Sequence, residues 1–380
     1  MSAFRCRVCR CAFEPRPLLA YENMPASAQG FPEANTLAQD AGARLEVIQC
    51  PGCGLVQLAN PPVSYFREVI RATAFSAEMA DFRRLQFAEF VAAHGLAGKK
   101  VFEIGCGRGE YLALMREAGA TVCGIEFAES SAQACRQAGF DVVCGYIEDG
   151  SPLPGAPFDA FFCLNFLEHM PDPCAALRGA AANLAPAAVG LVEVPNFDMI
   201  LRRRLFSEFI GDHLCYFTAD ALSTALRVSG FDVLDCRPVW HDYILSATVR
   251  KRGLLDLSSF SEQRDRLRQE LHDFVDRFKT GGVAVWGAGH QALAVLALAD
   301  LAGKIKYVID SAPFKQGKFT PATHLPIVAP AALAHDPVAA VIVMAAAYSD
   351  EVVRTIRRDY PSTTLAIAVL REHALERIQP

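Results

Sequence analysis

The stretch that most constrains this chain is Val101-Phe-Glu-Ile-Gly-Cys-Gly-Arg-Gly-Glu-Tyr-Leu112, an apolar run that breaks into three glycines and then resumes. Val101 to Ile104 reads as a buried strand. Gly105, Gly107 and Gly109 permit the positive φ and close backbone approach of a strand-to-helix turn beneath a ligand. Loops that grip phosphate present bare N–H groups, whereas Glu103, just before this turn, would repel a phosphate and favours an ammonium or sulfonium. The next strand, Thr121 to Glu126, ends in a second carboxylate about 20 positions on, where doubly wound folds hold ribose hydroxyls. A nucleoside carrying a sulfonium satisfies both acids, which points to S-adenosylmethionine.

Candidate strands recur at 101–104, 121–125, 142–144, 160–164, 189–194, 233–237 and 244–249, with helical patterns between them. Short apolar strands interleaved with helices predict an α/β fold over residues 96–250, a doubly wound and mostly parallel sheet with its ligand at the strands' carboxyl ends. Asn165-Phe-Leu-Glu-His-Met-Pro-Asp-Pro173 follows the fourth of these strands, so Asn165, Glu168 and His169 are candidate cofactor-pocket residues. Packing or capping is the plainer reading of Asn165 and Glu168.

With 380 residues and 52% hydrophobic content, the chain has material for two or three domains. Residues 1–60 carry Cys6-Arg-Val-Cys9 and Cys50-Pro-Gly-Cys53, two Cys-x2-Cys knuckles whose four thiolates complete a tetrahedral sulfur shell. Four thiolates leave no open coordination position, so a structural zinc is expected on Cys6, Cys9, Cys50 and Cys53. Cys11 competes with Cys9 on proximity alone, and disulfides are the alternative in an oxidising compartment. Residues 15–43 show no sustained period and read as an inserted loop. A helical connector is expected over 61–95, where Phe75, Met79, Phe82, Leu85, Phe87 and Phe90 recur. Residues 251–280 read as a linker helix capped by Ser258 or Ser259. From Val283 a second strand, glycine turn and helix begin, so 281–380 is expected to be a second Rossmann-like unit.

A net charge of −5 provides no general field for nucleic acid or anionic lipid, and Arg202-Arg203-Arg204 is the one basic run, either a solvated helix face or a diphosphate contact. No stretch has the apolar length of a membrane span or the pattern of a signal peptide, so a cytoplasmic protein without nucleic-acid or membrane partners is expected.

Taken together these parts resemble a known family. The glycine turn resembles motif I of class I methyltransferases, and a zinc-binding head, such a core and a C-terminal Rossmann-like domain resemble the bacterial nucleotide-sugar C-methyltransferases of deoxysugar biosynthesis. The resemblance also rests on Asp212-His213 with Tyr216-Phe217 following, and on the stretch from Val308 to His324. It implies a small-molecule acceptor, a nucleotide-linked sugar, and a catalytic group of His213 as base with Asp212 and Tyr216 beside it. Asp212 stands where the family has glutamate, and Ile210 where it has a tyrosine.

The mechanism implied is removal of an acidic hydrogen next to a sugar ketone, followed by attack of the carbanion on the sulfonium methyl. A sugar hydroxyl is the alternative acceptor. A rival from another class uses Gly287-Ala-Gly289 with Asp310 near the ribose position, the fingerprint of an NAD-dependent oxidoreductase. No hydride-transfer constellation accompanies it, so a docking unit for the nucleotide-sugar is preferred, with Lys315 and Lys318 adding positive charge. A binding protein that retains the pocket without turnover is the third reading.

Overall fold

The computed structural model describes residues 4–29, 31–68, 76–150, 152–361, 364–372 and 374–378. Phe75, expected in the connector helix, lies outside them. The chain forms two compact units, Met1–Gly253 and Leu254–Pro380.

The first unit opens with a small hairpin of β1 (Phe4–Arg5) and β2 (Ala12–Phe13), followed by β3 (Pro17–Met24), β4 (Ala43–Gln49) and β5 (Val56–Leu58). Helix α1 (Ala77–His94) is capped by Ser76, whose side chain accepts the Met79 N–H, and ends at Gly95 with φ 63°. Then come β6 (Lys100–Ile104), α2 (Glu110–Glu117), β7 (Thr121–Glu126), α3 (Glu129–Gln137), β8 (Asp141–Cys144), β9 (Phe158–Leu164), α4 (Pro173–Ala182) and β10 (Leu184–Pro195). The unit closes with α5 (Phe197–Arg203), β11 (Cys215–Tyr216), α6 (Ala219–Val228), β12 (Phe231–Val239) and β13 (Ile244–Lys251).

Seven of these strands form one sheet in the order β12-β13-β10-β9-β6-β7-β8, parallel from β10 to β8 and antiparallel at β13 and β12. Alternate residues feed two cores. Phe161 and Cys163 of β9 join Phe102 and Ile104 on one face, while Ala160, Phe162 and Leu164 join Val101 on the other. That two-sided burial explains why the strands read as continuous apolar runs. At Gly190 of β10 an added Cβ would lie 2.1 Å from the Phe161 ring, so only glycine lets the two strands carry that packing. Arg83 of α1 and Glu193 of β10 are both fully buried and meet at 2.5 Å, tying the connector helix to the sheet.

A second sheet of the same unit has the order β11-β5-β4-β3. It corrects one expectation. Pro17–Met24, read as loop, is a strand paired with β4, and its mostly exposed edge position removes the apolar signal that periodicity needs. Residues 1–60 are not packed apart from the methyltransferase-like sheet, because Cys6, Val8, Cys50 and Leu55 share a core cluster with Phe102, Phe161 and Leu222.

The second unit begins with α7 (Ser258–Asp276), whose Leu271, Phe274 and Val275 are buried in that unit's own core, so the expected linker helix is an integral element. Neither serine caps it; the Asp256 carboxylate accepts the Ser258 N–H instead. After it come β14 (Val283–Trp286), α8 (His290–Leu298), β15 (Tyr307–Ile309), β16 (Ile327–Val328), α9 (Ala332–His335), β17 (Ala340–Val343), α10 (Ser349–Asp359), β18 (Ala366–Leu370) and β19 (Leu375–Ile378). Their order, β16-β15-β14-β17-β18-β19, is that of a Rossmann sheet with an antiparallel last strand. Among the described residues no helix is long and apolar enough to cross a membrane.

Candidate active site

The glycine turn lies at the carboxyl end of β6, the first strand of the doubly wound order. Gly105, Gly107 and Gly109 have φ of 69°, 57° and 91°. A Cβ on Gly105 would lie 3.0 Å from the Phe166 ring, which roofs the turn. Glu103 is fully buried in β6 just beneath it. Glu126, at the end of β7, accepts the Gly107 N–H on Oε2 at 2.8 Å and the Ala128 N–H on Oε1 at 3.0 Å. An ionised carboxylate has about four acceptor positions, so these two bonds orient it without exhausting it.

Asn165, at the end of β9, adopts φ 50°, and its N–H binds the Glu193 carbonyl at 2.8 Å. Its Oδ1 is buried with no partner among the described residues, an acceptor suited to an ammonium. A narrow crevice beside the turn is lined by Ile104, Gly105, Ile125, Phe127, Gly145, Tyr146, Ile147 and Phe166. Sequence reasoning missed Phe127 and Tyr146. The available signal was that Phe127 directly follows Glu126, the carboxylate at the end of β7. Arg67 lies over Phe66, Phe127 and Tyr146 at 4.8, 5.7 and 5.2 Å, an aromatic box around one cation. A glycine cradle, an orienting carboxylate, an orphaned acceptor and an apolar slot fit S-adenosylmethionine. A larger cleft, lined by His94, Lys99 and Asp159, opens at the amino ends of the strands, away from where such sheets bind ligands.

Glu168, His169 and His213 form a cluster, with one donor atom from each within 4.8 Å of the others. His169 Nδ1 lies 2.9 Å from the Asp212 backbone carbonyl and Nε2 lies 3.8 Å from Glu168 Oε1. The His169 and His213 rings meet edge-on at 4.7 Å. Burial pushes Glu168 up to about 8. Burial, then the neighbouring His169, pushes His213 down to about 3, so its imidazole is neutral at pH 7.

The partners expected for His213 differ from the resemblance. Asp212 turns its carboxylate away: Oδ1 accepts the Ala28 N–H at 2.9 Å and Oδ2 accepts the Tyr65 hydroxyl at 2.7 Å. It therefore holds the loop rather than the imidazole, and Tyr65 was missed because nothing local to it marks a contact 147 residues away. Tyr216 is buried, and its hydroxyl accepts the Ile210 N–H at 3.0 Å and donates to the Ile210 carbonyl at 3.2 Å. That commitment, with burial raising its pKa, removes it from the candidate bases.

The knuckle cysteines converge as their spacing predicts, all four Sγ lying within 4.8 Å, with Cys6–Cys53 at 3.6 Å and Cys9–Cys50 at 3.5 Å. A tetrahedral ion with bonds of about 2.3 Å needs sulfurs roughly 3.8 Å apart, so the set fits a metal. All four are free thiols, and Cys11 is not among the four. The hydrogen bond from Cys53 holds the Cys6 thiol down at about 4.

In the second unit, Asp310 accepts the Ala288 N–H of the glycine turn and the Ala312 N–H, each at 2.9 Å, the same arrangement as Glu126. Here Lys315 Nζ lies on the same carboxylate at 2.8 Å and on the Ala288 carbonyl at 3.1 Å. A cation on the carboxylate that should hold a ribose disfavours the dinucleotide reading. Arg202 and Arg203 are exposed and face Asp242.

Known proteins bear on this geometry. A methyltransferase-domain family matches residues 75–235, and a C-methyltransferase C-terminal-domain family matches residues 250–364. C-methyltransferase NovU of Streptomyces niveus is 26% identical over 329 residues, 77% of this chain and 78% of that protein. Ubiquinone biosynthesis O-methyltransferase of Idiomarina loihiensis is 40% identical over 105 residues, 26% of this chain and 43% of that protein, so the chain spans less than half of that relative. Magnesium protoporphyrin IX methyltransferase of Synechocystis PCC 6803, solved with bound SAH, shares 16% identity over 50% of this chain and 93% of its own, with a TM-score of 0.39. With a class I strand order, a glycine cradle that fits the cofactor, and matching methyltransferase families along most of its length, the chain is an S-adenosylmethionine-dependent methyltransferase.

Proposed function

We propose that the acceptor is a carbon next to the ketone of a nucleotide-linked sugar. The observation that carries this reading is the alignment with a C-methyltransferase over 77% of the chain, more than the first unit alone, where the O-methyltransferase relative covers 26% of it. S-adenosylmethionine, when bound, supplies the electrophilic methyl. Glu126 holds its ribose, Asn165 Oδ1 accepts from its amino group, and Phe166 with the Phe127–Tyr146 slot excludes water.

His213, neutral and edge-on to the His169 ring, takes the proton from the acceptor carbon. The electron pair of that C–H bond passes into the enolate, whose carbon would take the methyl that S-adenosylmethionine would supply, with the pair of the S–CH3 bond left on sulfur. The anionic sugar nucleotide raises the basicity that burial lowers in the free protein. Cys6, Cys9, Cys50 and Cys53 hold one structural zinc, and thirteen reduced cysteines suit the cytoplasm. The C-terminal unit docks the nucleotide at Gly287–Gly289 with Lys318 as the candidate cation, since Lys315 is already paired.

Products formed from a panel of nucleotide-linked keto and hydroxy sugars, read by mass and NMR, test the assignment. A new C–CH3 group is expected. Removing the base should lower kcat by about 10²- to 10⁴-fold in His213→Asn while cofactor affinity stays unchanged. A methyl ether as the sole product would transfer the reading to O-methylation, and near-normal turnover in folded His213→Asn would remove the base.

A further inference from the structure

The cluster of Glu168, His169 and His213 contains more lone pairs than one proton acceptor requires. Glu168 is 2% exposed, and its Oε2 has no hydrogen-bond partner among the described residues. Burying its charged form is costly without a cation, and a cation beside it would offset that cost. Beside it, the Asp212 carbonyl can only accept, so it fixes the proton of His169 on Nδ1 and leaves the Nε2 lone pair directed toward Glu168 Oε1 at 3.8 Å. His213 adds a third donor within 4.8 Å. The Leu214 N–H binds the Glu168 carbonyl at 2.9 Å, which pins the loop carrying His213 to the segment carrying the other two.

We propose that Glu168, His169 and His213 form a second metal site, separate from the cysteine cluster, that takes one divalent ion of the zinc, cobalt or nickel class. Two imidazoles and one carboxylate suit these borderline ions, whereas magnesium and calcium prefer oxygen alone. Two ligands each about 2.1 Å from an ion can stand up to roughly 4 Å apart, which the His169–Glu168 pair already meets and small side-chain rotations extend to His213. The backbone carbonyl on Nδ1 is the outer partner that metal-bound imidazoles regularly have. Three protein ligands leave positions open for a substrate oxygen or water.

The consequence rests on the proposed role of His213. A neutral imidazole has one free lone pair, so the ring that binds the ion cannot accept the acceptor's proton. The metal-loaded enzyme is the inhibited form, and the site makes methyl transfer sensitive to free transition metal.

The test uses full-length protein with zinc in the cysteine cluster and no acceptor present, titrated with Co2+ and followed by visible absorption and metal analysis. One further equivalent is expected, with bands of nitrogen and oxygen coordination and no thiolate charge-transfer band. Glu168→Gln and His213→Asn should each weaken Co2+ binding by more than about tenfold, since even outer partners are worth that much, and leave the first zinc in place. Turnover of wild-type enzyme should then fall in step with cobalt occupancy and return on mild chelation. No second equivalent, or unchanged affinity in both variants when circular dichroism shows them folded, overturns the site. Cobalt that binds there and raises turnover leaves the site standing and overturns both the inhibition and His213 as proton acceptor.

Discussion

The Tyr216 hydroxyl both accepts from and donates to the Ile210 backbone, closing the loop that carries Asp212 and His213. Tyr216→Phe removes two neutral hydrogen bonds at a buried site, so it should cost about 1–3 kcal/mol in stability. Its kcat at saturating substrate should remain within a few-fold of wild type, because no reacting atom depends on the hydroxyl. Urea denaturation and steady-state kinetics check the two halves separately, and a kcat loss comparable with that of His213→Asn would return Tyr216 to the chemistry. The sequence marked His213, Glu168 and His169 as candidates because each lies in a compact motif. It did not reveal how they are held, since Asp212 orients His169 through its carbonyl and reaches Tyr65 and Ala28 through its carboxylate. Such bonds depend on which way a side chain turns, and no spacing records that.

At the scale of elements, the cysteine cluster and the loop carrying His213 are one construction. β5 leaves the second knuckle and pairs antiparallel with β11, Gln57 opposite Cys215 and Val56 opposite Tyr216, and the Leu58 N–H binds the Leu214 carbonyl at 3.0 Å. The knuckles were legible because each is local. The strand pair was not, because the two-residue β11 carries no period and its partner lies far away in sequence. This geometry predicts that metal removal does more than unfold a peripheral module. Stripping the cysteine site with a strong chelator, or Cys50→Ser, should speed amide exchange at Val56–Leu58 and at Cys215–Tyr216 together and lower turnover, while the glycine turn keeps its protection. Exchange that rises only before residue 60 would show that the cluster does not support the loop.

At the scale of the whole molecule, each unit has its own sheet and core, and the two carry related carboxylates in different electrostatic settings. Burial raises Asp310, but Lys315 together with the Ala312 and Ala288 N–H groups outweighs it and holds the group below its ordinary value. A depressed carboxylate contributes stability above its unfolded pKa and loses it as pH falls through that value toward the folded one. Asp310→Asn should therefore destabilise the C-terminal unit near neutrality and lose its effect below about pH 4, the ordinary carboxylate range. A destabilisation that is constant across pH in thermal unfolding would remove the charge from the account.

The unit boundary at Gly253 also separates the two proposed tasks. The glycine cradle, Glu126, Asn165 and the histidine cluster all precede it, and the core clusters around them draw no residue from beyond it. A chain ending at Gly253 should therefore fold, bind S-adenosylmethionine with unchanged affinity by calorimetry, and keep its metal. If the C-terminal unit docks the nucleotide, the same chain should lose most of its kcat/KM for the nucleotide-linked sugar, and the loss should lie mainly in KM if that binding is uniform between ground and transition states. The isolated residues 254–380 should in turn bind a nucleoside diphosphate, and Lys318→Ala should weaken that binding with salt doing the same. Full-rate methylation by the shortened chain would show that the first unit holds the acceptor unaided and that the second has another task.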